Sequence, residues 1–334
     1  LNTYIGQKGY TLLKKEMTQS HVDIIRKDLF VRPRVPGAPV PTTGGFKVYR
    51  ESNNKYYVPR YFGEEYFGKA KKYKVHEGDE VNLVFHGQLR DNQTTPVNTY
   101  LQSVQTPQGG CGLLDLPCGF GKTSLSLYIL SKLRKKTLVL VHKEFLFNQW
   151  IERIQQFLPD ARIGKIQGPV IDIENKDIVL GMIQSISMKE YDPEVFSSFG
   201  LTIIDEVHHI SSEVFSNTLF KLVTKYMLGL SATMTRKDGT TKVFKMFLGD
   251  IIYKEKQKGN DKVLVKVIEY KTNDDEFNEM KYDFRGNPAY SSMISKLCCF
   301  NPRSEFIIKV IKDLYDEDNS RQIMILAHNK NLLT

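Results

Sequence analysis

The 334-residue sequence has only four cysteines, Cys111, Cys118, Cys298 and Cys299. None stands at zinc-ligand spacing, and the adjacent pair Cys298-Cys299 is too close for an ordinary bridge. Neither a zinc module nor a disulfide scaffold is expected, and a reducing, intracellular setting is. No apolar run approaches the roughly 18 residues of a membrane-crossing helix, so no membrane partner is expected. The chain has no internal repeat, no low-complexity tract and a single tryptophan, Trp150, which reads as core rather than ligand. The opening Leu1-Asn2-Thr3 carries neither Met nor a signal-peptide pattern, so a fragment of a longer protein is expected. What remains is a chain that is 41% hydrophobic, enough for a sizeable core in two to three domains. It is basic, with 47 Lys and Arg against 38 Asp and Glu. Residues 1–80 hold 15 basic and 9 acidic residues, so +6 of the net +9 sits there. Such a balance favours polyanionic partners.

The informative stretch is Leu116-Pro117-Cys118-Gly119-Phe120-Gly121-Lys122-Thr123. An apolar run, Cys111 to Leu116, leads in, and a helix-forming run, Ser124 to Leu130, leads out. Strand, glycine-rich loop, Gly-Lys-Thr and helix together form a phosphate-cradling loop. Gly119 and Gly121 let backbone N–H groups curl toward phosphate oxygens where a side chain would clash. Lys122 reaches for β- and γ-phosphates, Thr123 offers its hydroxyl to Mg²⁺, and the helix N-terminus favours anions. The first position of the pattern wants Gly and has Leu116.

About 80 residues on, Leu201-Thr202-Ile203-Ile204 reads as a strand buried on both faces, ending in Asp205-Glu206-Val207-His208. The carboxyl end of a parallel strand is where α/β sheets present ligands. Asp205 there would hold Mg²⁺, and Glu206 would orient or deprotonate an attacking water.

With Leu228-Gly229-Leu230-Ser231-Ala232-Thr233 as a third motif, the set resembles superfamily 2 helicases of the DEAD/H type, in the XPB-like branch that includes helicases of large DNA viruses. The resemblance runs from about Leu89 to the C-terminus. It implies an α/β fold: a RecA-like domain with a parallel sheet over residues 86–255, a bridge over 256–300 and the start of a second RecA-like domain over 301–334. A small basic α+β domain over residues 1–85 would precede them, outside the resemblance. It further implies ATP and Mg²⁺ as cofactors and nucleic acid, DNA before RNA, as partner, with transcription or repair proteins as candidate partners. The implied catalytic group is Lys122, Asp205, Glu206 and His208. Nucleotide contacts would come from Arg90, Gln93, Pro117, Cys118, Gly119, Phe120, Gly121, Lys122, Thr123, Ser231 and Thr233, and metal contacts from Thr123 and Asp205. Gln93, in a family-like Arg-x-x-Gln, would bond an adenine edge. His208, Ser231 and Thr233 would link the nucleotide to the nucleic-acid side. Zinc at His208-His209 is not expected, because adjacent residues on a strand point apart.

Elsewhere, short strands are expected at Phe46 to Tyr49 and Lys55 to Pro59, after a proline-rich loop from Val31 to Pro41. Aromatics and bases interleave from Arg60 to Lys74, a pattern that could stack bases and hold phosphates. Gln184-Ser185, at the end of a strand, is a candidate phosphate contact, with Ser185 as a helix cap the plainer reading. Ser211-Ser212 would cap a helix. Arg236-Lys237-Asp238 departs from the branch's Arg-Glu-Asp at Lys237. Further strands are expected at Lys262 to Tyr270 and Arg321 to His328, with polar, irregular chain over 271–300 and a helix from Asn301. The family's arginine finger would come from a second domain, yet no Gly-Arg pair occurs, and Arg303 and Arg321 are the only arginines after residue 300. The chain by itself is therefore expected to bind ATP with little nucleic-acid-stimulated turnover. Two rivals share the motifs: a double-stranded DNA translocase or restriction-type motor that does not unwind, and a nucleotide-gated nucleic-acid-binding module.

Overall fold

The computed structural model describes residues 1–33, 44–210, 212–233, 239–255, 265–320 and 322–327. Its contacts form two compact units, Leu1–Gln257 and Lys258–Thr334. Arg236-Lys237-Asp238, Ser211, Arg321, His328 and most of the proline-rich loop lie outside the described residues.

The first unit begins with β1 (Tyr4–Gly6), β2 (Gly9–Leu13), α1 (Gln19–Asp28), β3 (Phe30–Val31), β4 (Phe46–Lys47), β5 (Arg50–Glu51), β6 (Lys55–Val58), α2 (Arg60–Phe67) and β7 (Lys72–Tyr73). Five strands form a sheet in the order β5-β6-β2-β1-β7, while β3 and β4 pair separately. Strand alternation sends Ile5, Tyr10, Leu12, Tyr56 and Val58 to one buried face, where Phe62 of α2 joins them. Helix α1 starts at Thr18, whose hydroxyl accepts from the backbone N–H of His21 at 3.4 Å.

The second, larger part of this unit alternates strand and helix. It comprises α3 (Asp91–Val104), β8 (Gly110–Asp115), α4 (Lys122–Leu133), β9 (Thr137–Val141), α5 (Glu144–Phe157), β10 (Ile163–Gln167), β11 (Val170–Asp172) and β12 (Ile178–Met182). There follow α6 (Ile183–Met188), β13 (Leu201–Ile204), α7 (Ser212–Leu219), β14 (Tyr226–Ser231), α8 (Thr241–Leu248) and β15 (Ile251–Lys254). The sheet order is β11-β10-β12-β9-β13-β14-β8-β15. Only the β10–β11 pair is antiparallel. This is the RecA-like α/β architecture that the motifs implied. β8, β9 and β13 are buried along their whole length, as continuous apolar strands between two helix layers must be. Val97, Tyr100, Leu125, Ile129, Trp150 and Ile154 cover one face. Ile186, Phe215 and Phe244 cover the other, in a core continuous with that of the N-terminal sheet. The N-terminal part is thus seated on the RecA-like part. Arg50 lies over the Phe220 ring at 5.3 Å and bonds Asn217, and Gln7 donates to the Pro193 carbonyl at 2.8 Å.

The second unit holds α9 (Asp275–Asn278), α10 (Tyr290–Cys299) and α11 (Asn301–Glu317), the last with Pro302 in its first turn. Tyr270, Phe277, Phe300 and Phe306 form its aromatic cluster, with Phe277 and Phe300 centroids 5.0 Å apart. Three expectations change here. The stretch over 271–300 is not irregular throughout: Tyr290, Met293, Ile294 and Leu297 recur at helical spacing and build α10. Residues 265–270 and 322–327 are not strands. Val265 and Val267 are exposed, and no strand is paired with either segment among the described residues, so alternation has no ladder to act in. No helix among the described residues is long and apolar enough to cross a membrane.

Gly63 in α2 lies against the Tyr10 ring, where a Cβ would overlap ring atoms. Gly63→Ala is expected to cost about 1–3 kcal/mol through overpacking, measured by urea unfolding. An unchanged midpoint would show that Tyr10 moves aside freely.

Candidate functional site

The carboxyl ends of β8 and β13 lie on either side of β14 in the sheet, and the site is built where they meet. After β8 the chain turns through Pro117 to Gly121 and enters α4 at Lys122. Gly119 and Gly121 have φ of 75° and 85°, the left-handed region that favours glycine. A Cβ on Gly121 would also collide with the Arg90 guanidinium and the Gln93 amide.

Those two side chains hold the loop from behind. Gln93, buried on α3, donates to the Phe120 carbonyl at 2.9 Å and the Gly121 carbonyl at 3.2 Å, and its own oxygen accepts from the Arg90 N–H at 2.9 Å. Arg90 donates to the carbonyls of Gly119 and Phe120. Both ends of the Gln93 amide are therefore engaged by protein, so bonding an adenine edge would require exchanging one of these bonds.

A cleft of about 550 Å³ opens over the loop. Arg90, Gln93, Cys118, Gly119, Gly121, Lys122, Thr123, Asp205 and Glu206 line it. Pro117, Phe120, His208, Ser231 and Thr233 do not: Phe120 is a core residue that contributes its carbonyl, and the last three contact one another, with His208 also against Glu206. Sequence reasoning missed Gln88, Ser124 and, on α5, Leu146, Gln149, Arg153 and Phe157, which also line the cleft. The three- and four-residue spacing of the last four, which puts them on one face of α5, was the available signal.

Across the cleft, Lys122 Nζ lies 2.6 Å from Glu206 Oε1, and both side chains are largely buried. Glu206 is held at φ 50°, a left-handed conformation rare for a non-glycine residue and costly enough to mark functional positions. Its Oε2 is 3.3 Å from His208 Nδ1. That approach lacks hydrogen-bond geometry, and this buried oxygen has no hydrogen-bond partner among the described residues. His208 Nδ1 lies 2.6 Å from Ser231 Oγ. Ser231 Oγ is also 2.8 Å from the Thr233 carbonyl, which can only accept, so the serine proton points there and Nδ1 carries the imidazole proton. Burial pushes the His208 and His142 imidazoles below their usual range, favouring the neutral forms. His208 and His209 sit on a tight turn after β13, not on a strand, with ring centroids 3.9 Å apart. The expectation that they point apart therefore fails, although no group of three metal ligands occurs among the described residues.

Asp205 is buried, and Trp150 Nε1–H donates to its Oδ2 at 2.9 Å. Trp150 is thus core and also the donor that orients a site carboxylate, a role its composition alone did not disclose. Burial pushes the Asp205 carboxyl above its usual range, while the Trp150 bond pulls it back. Asp205, Thr123 and Glu206 line one cleft. That oxygen-rich donor set suits a hard divalent cation such as Mg²⁺. Of the remaining candidates, Gln184 donates to the His142 carbonyl at 2.9 Å and Ser185 accepts from the Gly168 N–H at 3.0 Å. Both tie strand ends together.

The asymmetry at Asp205 gives a test. Its proton is held more tightly folded than unfolded, so stability falls as pH rises through the carboxylate range. Asp205→Asn is expected to raise Tm at pH 7 and to lose that advantage below pH 3.8, its ordinary value. Trp150→Phe is expected to cost about 1–3 kcal/mol in the native background and less in Asp205→Asn, where the carboxylate is gone. A Trp150→Phe cost equal in both backgrounds would show that the indole only fills space.

Comparison with known proteins agrees with the motifs. The family model described as type III restriction enzyme, res subunit, matches residues 86–236. A protein of Acanthamoeba polyphaga mimivirus, provisionally named an ATP-dependent RNA helicase, is 34% identical over 323 residues, 95% of this chain and 62% of its own. The DNA 3'-5' translocase XPB2 of Sulfurisphaera tokodaii is 34% identical over 174 residues, 50% of this chain and 36% of its own. A provisionally named helicase of invertebrate iridescent virus 3 is 32% identical over 177 residues, covering 52% of this chain and 53% of its own. The chain thus spans between about a third and three fifths of the length of these relatives.

Proposed function

We propose, from the chain's place among the superfamily 2 helicases in their XPB-like and viral branch, that it is the ATP-binding part of a nucleic-acid motor that hydrolyses ATP to translocate or unwind. The observation that carries this reading is the 2.6 Å pair between Lys122 on the phosphate loop and Glu206 at the end of β13, with Asp205 buried beside it. In this reading the loop N–H groups and Lys122 bind the phosphate chain. Lys122 must then be shared with, or released by, Glu206. Asp205 and Thr123 would hold Mg²⁺, which neutralises phosphate charge when bound. Glu206 takes a proton from the attacking water, and neutral His208, 3.3 Å from its Oε2, passes the state of that carboxylate to Ser231 and Thr233.

DNA is the preferred polymer in this reading. The Sulfurisphaera relative is named for DNA translocation and the family model for a restriction subunit, whereas the mimivirus relative is named for RNA. The restriction description also favours the second reading, a duplex translocase that does not unwind.

Titrating ATP·Mg²⁺ into the chain tests the site. Lys122→Ala is expected to weaken binding about tenfold to a hundredfold, the ~1.5–3 kcal/mol of a charge-assisted hydrogen bond. Glu206→Gln is expected to retain binding and lose hydrolysis. Equal affinity in wild type and Lys122→Ala would sink the assignment. Gel-shift titration with DNA and RNA, single- and double-stranded, then reads the polymer, and tighter RNA binding would reverse the preference.

A further inference from the structure

The outer face of the N-terminal sheet carries a basic cleft whose arrangement follows from strand register. Leu13 of β2 pairs with Lys55 of β6, and Tyr4 of β1 with Lys72 of β7. Leu13 lies two residues from Thr11, the partner of Tyr4 on β2. Directly paired residues share a face, as do residues two apart, so Lys55, Leu13, Tyr4 and Lys72 lie on one side, with Ile5, Tyr10, Leu12 and Val58 on the other. Lys74 continues the Lys72 side, where its N–H donates to the Ile5 carbonyl at 2.7 Å, and Lys71 is fixed beside it by a bond to the Thr3 carbonyl at 3.2 Å. Lys55, Lys71, Lys72 and Lys74 line one cleft of about 320 Å³ with Tyr4 at its floor.

None of these four ammonium groups has a carboxylate within 4.0 Å among the described residues. By contrast Lys14 of the same lobe, and Lys135, Lys136 and Lys225 of the RecA-like part, are each paired with a carboxylate. Two acids of the lobe are already engaged: Glu16 accepts from the Asn2 backbone and side chain, and Glu51 from Lys14 at 2.8 Å. Four like charges around one concavity repel one another unless an anion enters. The aromatic ring is not a free stacking surface. Lys74 Nζ sits 4.7 Å and Lys55 Nζ 5.6 Å from the Tyr4 ring centroid, and Lys55 donates to its hydroxyl at 3.1 Å. The ring supports the ammonium groups by cation–π attraction, which leaves charge rather than a π-face to meet the ligand.

We propose that this cleft grips the phosphate backbone of a polynucleotide, without reading its bases, as a second contact outside the RecA-like domain. The proposal rests on the reading of the chain as a nucleic-acid motor and names where the N-terminal lobe would hold its track. It replaces base stacking by the lobe's aromatics with a purely electrostatic grip at this cleft.

The test compares two variants of the whole chain that lose the same charge. One is Lys55→Gln/Lys71→Gln/Lys72→Gln/Lys74→Gln. The other replaces Lys15, Lys27, Lys47 and Lys69, exposed lysines of the same lobe outside the cleft, by Gln. Anisotropy of labelled single- and double-stranded DNA and RNA is followed against salt, with thermal unfolding as the check on folding. The cleft variant is expected to flatten the log–log salt slope by about three units, at ~0.7–0.9 per phosphate contact, with no change in base preference. The control variant is expected to change it by less than one. Equal slopes for the two variants would overturn the cleft while leaving the motor reading intact. Absence of polynucleotide binding by the wild type would overturn both. Cleft-dependent binding of phosphatidylserine vesicles without polynucleotide binding would assign the lysines to a membrane surface instead.

Discussion

The site depends on one ion pair. Lys122 and Glu206 are 84 residues apart, and their 2.6 Å contact ties the first turn of α4 to the end of β13. Each partner is held there by something else. Lys122 is placed by a loop whose glycines adopt positive φ and whose carbonyls are clamped by Arg90 and Gln93. Glu206 is placed by a left-handed backbone that the buried Val207 and the turn after it maintain. The intervening strand completes the frame: the Leu116 N–H donates to the Ser231 carbonyl at 2.8 Å, and Ser231 also meets His208. A charge pair with little solvent around it is strong only while its geometry holds, which is why so much backbone is committed to it.

The two carboxylates beside this pair have different surroundings. Asp205 is deep, its proton affinity raised by burial and restrained by the Trp150 indole. Glu206 is partly exposed, with one oxygen on Lys122 and the other buried 3.3 Å from His208 Nδ1. Adjacent acids in unlike environments suit the division of labour proposed above, one carboxylate for a cation and one for a proton. The cost is a buried charge at the end of β13, which the surrounding core has to offset.

Much of this was legible in the chain. Leu201 to Ile204 announced a buried strand by its unbroken apolar, β-branched run, and Gly119 and Gly121 announced a loop whose backbone could curl around phosphate. What stayed hidden was tertiary. No local rule places an indole N–H from α5 on Asp205, 55 residues away. Nor does any propensity foretell positive φ at Glu206, which the packing of its neighbours imposes. Gln93 was found through the family resemblance, but its partners depend on how α3 packs against the loop. Val265 and Val267 alternate as a strand should, yet alternation needs a neighbouring strand to become one. The N-terminal lobe was readable as basic and aromatic. Only the registers of β2 against β6 and of β1 against β7 show that four of its lysines line one cleft with Tyr4.

The account stands on phosphates occupying the loop between Pro117 and Thr123. Cys118 lies exposed in that loop, and the chain carries Cys298 and Cys299 in another unit as internal references. The rate of Cys118 alkylation, read by mass spectrometry with and without ATP·Mg²⁺, reports occupancy directly. Strong protection of Cys118 by ATP, with Cys298 and Cys299 unaffected, is the result this account requires. Alkylation of Cys118 at the same rate under saturating ATP would contradict it.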